Sequence, residues 1–301
     1  MENIFNPYYV TVLTTVGIML IAALGLNLIS GVIGQTSLGH AAFYGIGAYC
    51  TAMLTTQTSL SFWQALPISI VISWIFGLLL SLSVVRFKDD FLAIVTMGIG
   101  LIFQSIAENW EWIGGVLGIS DIPRPFIRGV ELENFEFLIL VGVLIAAGTV
   151  LQLKLMKSRM GRAFIAIRED DLAAKCIGVN TTRYKVLTFA LGAAYAGAAG
   201  SLYASFVGFI SPTNFGFSVS ITLVAMLVLG GLGNIWGVYV GVLILGVLPE
   251  MSRSLADYRM LAYGLLLTML MRYRPQGILG ASTKIKIYPF HFRKPKPVHE
   301  R

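Results

Sequence analysis

Residues 9–30 of the chain read YVTVLTTVGIMLIAALGLNLIS, a run that contains no charged side chain. The absence of Asp, Glu, Lys and Arg extends from Asn3 to Val85, and it recurs from Val186 to Pro249. A soluble fold would need charged surface somewhere along stretches of this length, whereas the hydrocarbon core of a bilayer excludes charge. We therefore predict a membrane protein, and we exclude a soluble enzyme, a nucleic-acid-binding domain and a disulfide scaffold.

The composition of the whole chain agrees with this prediction. Apolar residues make up 56% of its 301 residues, and the mean hydropathy is +0.78. Charged residues make up 12%, against the roughly 25% that is usual in globular proteins. Cys50 and Cys176 lack the paired spacing of zinc, haem or redox motifs, so no metal site is predicted.

The apolar segments predict an all-α polytopic bundle that forms a single membrane domain over residues 1–301. A spanning helix needs about 20 apolar residues. Nine segments qualify: 9–30, 41–57, 64–85, 91–107, 137–154, 186–206, 218–232, 235–249 and 258–272. Eight or ten crossings fit equally, because several segments are short and the Gly-rich segment 41–57 could be broken or re-entrant. The segments are too apolar for the alternating strands of a barrel.

Basic residues predict the orientation, because cytoplasmic loops are enriched in Lys and Arg. Residues 154–185 and the tail at 273–301 are both strongly basic, whereas the connection 108–136 is mainly acidic. We therefore expect 154–185 and the C-terminal tail to be cytoplasmic and 108–136 to lie outside. The number of crossings before Lys154 is not fixed by the sequence, so the side of the N-terminus stays open.

The basic segment 154–185 is longer than a turn between two helices requires, and it contains helix-capping signals. Asp170 or Asp171 can cap a short helix over 172–177, which Gly178 would end in the C′ position. Such a helix could dock a partner protein, or it could lie on lipid headgroups beside its basic flanks. The apolar side chains that would otherwise be exposed are Phe164, Ile167, Leu172 and Ile177.

The chain carries no recognisable energy source. It lacks a Walker A motif, and the predicted spans contain essentially no ionisable side chain apart from His40, at a span boundary. An isolated His of this kind more often donates to a neighbouring carbonyl than acts in chemistry. No catalytic constellation is present, so the protein either conducts passively or takes energy from another polypeptide.

Small residues predict close helix packing. Gly233, Gly237 and Gly241 recur at every fourth position, and Gly197 lies in a second series of this kind. Small side chains let helices approach closely inside a membrane. The glycine cluster at 230–233 should also break 218–249 into two helices, because one continuous helix of about 48 Å would overshoot the bilayer.

Three stretches of the chain carry a resemblance to a known family. They are Gly25–Leu28 with Gly34–Tyr49, then 161–185 with Gly161-Arg162-Ala163 and Gly178-Val179-Asn180, and finally Ser211-Pro212 with Leu229–Gly237. Together they resemble the membrane-spanning permease subunit of bacterial ATP-binding-cassette (ABC) importers for branched-chain amino acids, specifically its M-type. The resemblance covers most of the chain and implies a bundle like that of type II ABC importers.

The resemblance also implies that 154–185 is a cytoplasmic coupling loop. Its general pattern is Glu-Ala-Ala, three residues and Gly, but here Leu172 stands in the Glu position. This departure leaves Glu169, Asp170 and Asp171 all open as the acidic contact to the ATPase. The residues that the resemblance assigns to ATPase coupling are Arg162, Arg168, Glu169, Asp170, Asp171, Ala173, Ala174 and Gly178.

Further partners follow from the same resemblance. It implies a second permease subunit, two ATPase subunits that bind ATP and Mg, and a periplasmic or lipid-anchored binding protein that delivers leucine, isoleucine or valine. This chain would hold no cofactor, catalyse no reaction and lie in the bacterial inner membrane. Another small amino acid, or an amide such as urea, is the alternative cargo, and a passive channel is the alternative class.

A path fed by a binding protein must not trap a zwitterion, so polar uncharged side chains near it are candidates to line it. The candidates are Asn27, Gln35, Ser37, His40, Gln104, Asn214 and Asn234. Each of them fits helix–helix hydrogen bonding or helix capping at least as well.

Overall fold

The computed structural model describes residues 7–58, 60–85, 87, 89–127, 130–251, 264, 268, 272 and 277–280. The described chain is mainly helical, with one short antiparallel hairpin of β1 (Phe126–Ile127) and β2 (Val130–Glu131). The helices are α1 (Pro7–Leu26), a π-helix that continues it (Asn27–Val32), α2 (His40–Gln57), α3 (Phe62–Val84), α4 (Asp89–Asn109), α5 (Asn134–Lys157), α6 (Arg159–Glu169), α7 (Asp171–Cys176), α8 (Thr181–Val207), α9 (Phe217–Gly230) and α10 (Ile235–Met251).

The helix lengths confirm an all-α polytopic membrane protein. Among the described residues, six helical segments are long and apolar enough to cross a bilayer. They are Pro7–Val32, Phe62–Val84, Phe91–Asn109, Asn134–Lys157, Thr181–Val207 and Pro212–Gly230, and Ile235–Val247 is a shorter apolar helix. The predicted count of nine stays a prediction, because the span at 258–272 lies outside the described residues apart from 264, 268 and 272.

Helix α8 forms the centre of the bundle, where its small residues let α1, α2 and α3 approach its backbone. Gly192 packs against the Gly25 carbonyl of α1. Gly197 packs against Ser73 of α3 and against Gly47 of α2. A Cβ atom added at Gly200 would collide with the carbonyl oxygen of Tyr44. Close backbone contact supplies the van der Waals attraction that holds helices together in a membrane.

A cluster of hydroxyl groups also links the three central helices. Thr51 Oγ1 of α2 lies 2.7 Å from Ser69 Oγ of α3 and 2.7 Å from Ser201 Oγ of α8. All three side chains are buried. Because lipid offers no alternative partner, such interhelical hydrogen bonds hold neighbouring helices in register, at about 1 kcal/mol each.

Contacts along the helices fix their directions. Ser73 packs against Gly197 and Gly77 against Ala193, so α3 and α8 run in opposite directions. At the far end of α2, Gln57 Nε2 donates to the Trp112 carbonyl at 3.4 Å, beside the connection between α4 and α5. Five helices, α1 to α5, thus precede residue 158, and the start of α1 lies at the opposite end of the bundle from α6.

The predicted break after α9 is present. Gly231 ends the helix with a φ of +116°, a backbone conformation that favours glycine, and α10 begins at Ile235. Gly237 and Gly241 then pack against the backbone of α9 at Gly230 and Met226, so the two helices form a tight antiparallel hairpin. Gly233 differs from the expected series, because it lies in the loop before α10 and not on the helix face.

Residues 277–280 return to the same loop. The Ile278 amide donates to the Leu229 carbonyl at 2.9 Å, and the Leu279 amide donates to the Gly230 carbonyl at 3.0 Å. Asn234 Nδ2 donates to the Leu279 carbonyl at 2.9 Å. The first two bonds satisfy carbonyl groups at the end of α9 that the helix itself leaves without a partner.

The packing of α8 generates a stability prediction. We expect Gly200→Ala to lower the apparent Tm of the purified protein by about 5 °C, because overpacking costs about 1–3 kcal/mol. Gly142→Ala in α5 is the matched control, since a Cβ atom there meets no heavy atom within 4 Å. An equal Tm for the two variants in a fluorescence unfolding assay would contradict the close approach of α2 and α8.

Candidate functional site

The connection between α5 and α8 folds as two helices in place of a loop. Ser158 caps α6, and its Oγ accepts from the amides of Met160 at 3.1 Å and Gly161 at 3.4 Å. Helix α6 therefore begins at Arg159, because the Ser158 hydroxyl supplies the cap. Phe164 and Ile167 on α6 are buried against the bundle.

Helix α7 has a defined cap at each end. Asp170 Oδ1 accepts from the amides of Leu172 at 2.8 Å and Ala173 at 3.0 Å, so Asp170 is the N-cap. Gly178 follows the helix with a φ of +84°, the left-handed conformation expected of a C′ glycine. Asn180 then caps α8 by accepting from the Arg183 amide at 3.1 Å. The caps at Asp170 and Gly178 stabilise α7, a six-residue helix that would be unstable in isolation.

One side of α7 is an exposed apolar surface, which we call the α7 face. It consists of Leu172, Ala173, Cys176 and Ile177. Leu172 is 71% exposed and Ile177 is 75% exposed, whereas Ala174 is buried beneath them. The sequence analysis identified four apolar side chains that would need to be buried. The bundle buries Phe164 and Ile167, whereas Leu172 and Ile177 remain exposed. Exposed apolar side chains of this kind mark an interaction surface.

The three candidate acids have different surroundings. Asp171 lies 2.8 Å from Lys175 Nζ and 3.4 Å from Lys185 Nζ. Burial opposes its ionisation, but the hydrogen bond from Lys175 and the charge of Lys185 outweigh it, so the pKa of Asp171 is lowered. The carboxylate therefore stabilises the fold above its ordinary titration range, and this contribution is lost as the pH falls through the lowered pKa. Glu169 is exposed and has no ion-pair or hydrogen-bond partner within the described part of the chain.

Arg168 connects α6 to two other parts of the bundle. Its Nη1 atom donates to the Gly31 carbonyl at 2.5 Å, at the end of the π-helix. In the same place the Gly233 amide donates to Asn27 Oδ1 at 2.9 Å. We call Asn27, Gly31, Arg168 and Gly233 the Arg168 junction. Side chains at either glycine would displace it, because a Cβ atom at Gly233 would strike Arg168 Nη1 and one at Gly31 would strike the Asn27 amide.

Arg162 and Arg168 thus play different structural roles on one helix. The Arg162 guanidinium reaches only the Ser158 carbonyl at the start of its own helix, at 3.4 Å. Arg168 reaches a residue 137 positions away. The resemblance assigned both to ATPase coupling, and it carried no signal that Arg168 hydrogen-bonds to the end of the π-helix.

Three of the predicted path residues lie between the end of the π-helix and the start of α2, and they are buried in the bundle. Gln35, Ser37 and His40 are all buried. His40 Nε2 lies 3.0 Å from the Ala22 carbonyl, the contact expected of a structural histidine. The Leu38 amide donates to Thr96 Oγ1 on α4 at 3.0 Å. These contacts satisfy backbone groups where the helix is interrupted, which a membrane interior requires.

The remaining path candidates make hydrogen bonds of their own outside this segment. Gln104 Nε2 donates to Glu108 at 2.9 Å within α4. Asn214 Nδ2 donates to Tyr203 OH at 2.7 Å, near the end of α8. Asn234 lies in the loop before α10 and accepts from the Trp236 amide at 3.1 Å. Asn27 lies beside Asn234, because it accepts from the adjacent Gly233 amide, and Gln104 lies beside Gly216, near Asn214. The role of the seven candidates in the path stays a prediction.

Some residues of the site had weak signals in the sequence or none. The Ser158 cap was detectable, because a serine before a helical segment is a common N-cap. Thr96 and Ser220 were not, since Thr96 Oγ1 and Ser220 Oγ accept from the amides of Leu38 and Ala41, on a segment distant in sequence. No group of three His, Cys, Asp or Glu that could hold a metal ion occurs among the residues that the structure describes.

Comparison with known proteins places these features in a family context. A family model described as "Branched-chain amino acid transport system / permease component" matches residues 8–272. The high-affinity branched-chain amino acid transport system permease protein LivM of Salmonella typhimurium is 37% identical, over 90% of this chain and 69% of its own length. The LivM protein of Escherichia coli is similar to the same extent. The permease protein LivH of Salmonella typhimurium is 30% identical, over 86% of this chain and 90% of its own. No solved structure matches the chain.

The Arg168 junction generates a prediction for the purified chain. We expect Arg168→Ala to speed amide hydrogen exchange at residues 27–35 and 231–234 by about fivefold, the equivalent of about 1 kcal/mol for one lost hydrogen bond. Arg162→Ala is the matched control, because it removes the same side chain from the same helix without touching the junction. Equal exchange in the two variants would contradict the connection.

Proposed function

The chain belongs to the family of permease components of branched-chain amino acid transport systems, and from this membership we propose that it forms, with a second permease, the membrane path of an ATP-driven importer for leucine, isoleucine and valine. Its relatives are transport permeases and not enzymes. The observation that supports the proposal best is the capped helix α7, which presents an apolar face away from the bundle while Arg168 ties its support, α6, to α1.

In the proposed topology, residues 154–185 form the cytoplasmic coupling loop and the protein lies in the bacterial inner membrane. The basic residues of this segment support that side. Residues 277–280 contact the loop after α9, at the same end of the bundle as Arg168, which supports a cytoplasmic C-terminal tail at 273–301. Because five helices precede α6, the start of α1 and the acidic connection 108–136 then lie outside, where a periplasmic or lipid-anchored binding protein would deliver the amino acid.

The proposed contact to the two ATPase subunits is the α7 face. Leu172 and Ile177 would enter an apolar recess of the ATPase, since exposed apolar side chains gain most from burial. Glu169 is the acid left free for a basic group of the partner, because Asp170 caps α7 and Asp171 pairs with Lys175 and Lys185. The ATPases would bind ATP and Mg; this chain would hold no cofactor.

Movement of α7 would reach the bundle through α6 and the Arg168 junction. Helix α6 is anchored by buried Phe164 and Ile167, so it moves with the residues it packs against. Arg168 then joins it to the Gly31 carbonyl, and Asn27 joins α1 to the loop between α9 and α10. A displacement of α7 on ATP binding would thus act on α1 and α9 together, which is how a chain without its own energy source could open a path.

Reconstitution tests the proposal. We expect proteoliposomes that contain this chain, the second permease, both ATPases and the binding protein to accumulate leucine only with ATP. Asp170→Ala should lower this uptake about fivefold, because losing an N-cap destabilises a helix by about 1 kcal/mol. Asp170→Asn is the control, since Asn caps equally well. Uptake by vesicles without the ATPases would favour a passive channel, and unchanged uptake in Asp170→Ala would contradict the coupling role of α7.

The proposed topology predicts the reactivity of Cys176, an exposed thiol on the α7 face. A membrane-impermeant maleimide should modify Cys176 in inside-out vesicles and leave it unmodified in right-side-out cells. Added ATPase subunits should slow the reaction, because they would cover the α7 face. Cys176→Ser identifies the signal, since Cys50 is the other cysteine of the chain. Modification from the outside would reverse the topology.

A further inference from the structure

The surface of the bundle at membrane depth differs from one side to another. Along the middle turns of α3 and α5, the described residues that are exposed are apolar. Examples are Val71, Ile75 and Leu79 on α3 and Ile139 and Val143 on α5. Surfaces of this composition are typical of helices that face lipid.

On α1 and α9, a row of hydroxyl groups lies beside exposed apolar side chains such as Leu13 and Ile221. Thr11 and Ser218 are exposed, and Thr15 and Thr222 are partly exposed. Thr15 follows Thr11 by four residues and Thr222 follows Ser218 by four, so each pair lies on one face of its helix. The two helices run in the same direction, because both end at the Arg168 junction. Thr222 lines one cavity with Met19, so Ser218, one turn earlier on α9, lies near the level of Thr15.

A small cavity opens at the inner end of this row. Its volume is about 70 Å³, and it is lined by Met19, Ala22, Tyr44, Val219, Thr222 and Leu223. Met19 follows Thr15 by four residues and therefore continues the same face of α1. The Tyr44 ring closes the cavity from α2, where it packs against the rings of Tyr203 and Phe215 at centroid distances of 5.5 and 5.3 Å. The cavity is lined mainly by apolar groups, and one of its walls belongs to an aromatic cluster.

The hydroxyl groups are suited to brief contact with an ammonium group. Thr11, Thr15 and Thr222 each donate to the carbonyl four residues earlier, at 2.9, 3.0 and 2.9 Å. Each hydroxyl oxygen can still accept a hydrogen bond. The surface is uncharged, so it does not hold a cation by charge. Because the hydroxyl donors are already satisfied, no costly unpaired groups remain when the surface is empty.

We infer that this groove between α1 and α9 is the part of the translocation path that this chain contributes. The ammonium group of the amino acid passes along the hydroxyl oxygens, its carboxylate stays hydrated, and its branched side chain enters the cavity beside Met19 and Leu223. The inference rests on the proposed function and names the surface that performs it. The residues that line the cavity are not among the seven path candidates taken from the sequence.

Cysteine accessibility tests the groove in the full transporter in lipid nanodiscs. Met19→Cys and Thr222→Cys should react with a positively charged methanethiosulfonate at least about tenfold faster than Val71→Cys and Val143→Cys, because only a hydrated thiol ionises and reacts. The two valines are matched controls, since they are 53% and 60% exposed on the surfaces that would face lipid. Adducts are mapped by mass spectrometry, so native Cys50 and Cys176 do not interfere.

The same variants link accessibility to transport. Modification of Thr222→Cys should lower leucine uptake at least about tenfold, the scale expected when one side-chain pocket is filled, while ATP hydrolysis stimulated by loaded binding protein continues. Equal reaction rates at Thr222→Cys and Val143→Cys, or an adduct that leaves uptake unchanged, would overturn the groove. Failure of the unmodified transporter to accumulate leucine would instead overturn the proposed function, so the two failures are distinguishable.

Discussion

Every interruption of a helix inside a bilayer exposes backbone groups that water cannot reach, so the protein must supply their partners. This constraint explains the segment from Asn27 to Ala41, where α1 becomes a π-helix and the chain reverses before α2. The partners of its backbone groups come from three other helices: Arg168 of α6, Thr96 of α4 and Ser220 of α9. In return, the Asn27 side chain accepts from the Gly233 amide after α9. The interruption therefore connects this one segment to α4, α6 and α9.

The same arrangement connects the proposed coupling segment to the bundle. A π-helix is a frequent feature of functional sites, because its wider turn leaves carbonyl groups available to other donors. Here the available group is the Gly31 carbonyl, and the donor comes from the helix that supports α7. Glycines at 31 and 233 keep the contact close, since a larger side chain at either position would separate the two elements. A displacement outside the membrane can in this way act on two helices within it.

The features that the sequence predicted correctly are those that depend on local signals. The capped α7 and the break after Gly230 follow from Asp170, Gly178 and Gly231, whose effects extend over one turn of chain. The apolar spans follow from composition. The bond from Arg168 to Gly31, the burial of Gln35 and the hydroxyl row of α1 and α9 could not be predicted, because each depends on which helices become neighbours. A periodic pattern describes one helix and carries no information about its partners.

The bond between the Gly233 amide and Asn27 joins residues 206 positions apart. A ribosome that adds about 5–20 residues per second needs roughly 10–40 seconds to make the intervening chain. During that interval α1 is already in the bilayer, but the amide that completes its inner end does not yet exist. Insertion of the first helix and completion of its hydrogen bonds are therefore separate events in biosynthesis. Until the loop between α9 and α10 has been made, Asn27 depends on water or on the insertion machinery for a hydrogen-bond partner.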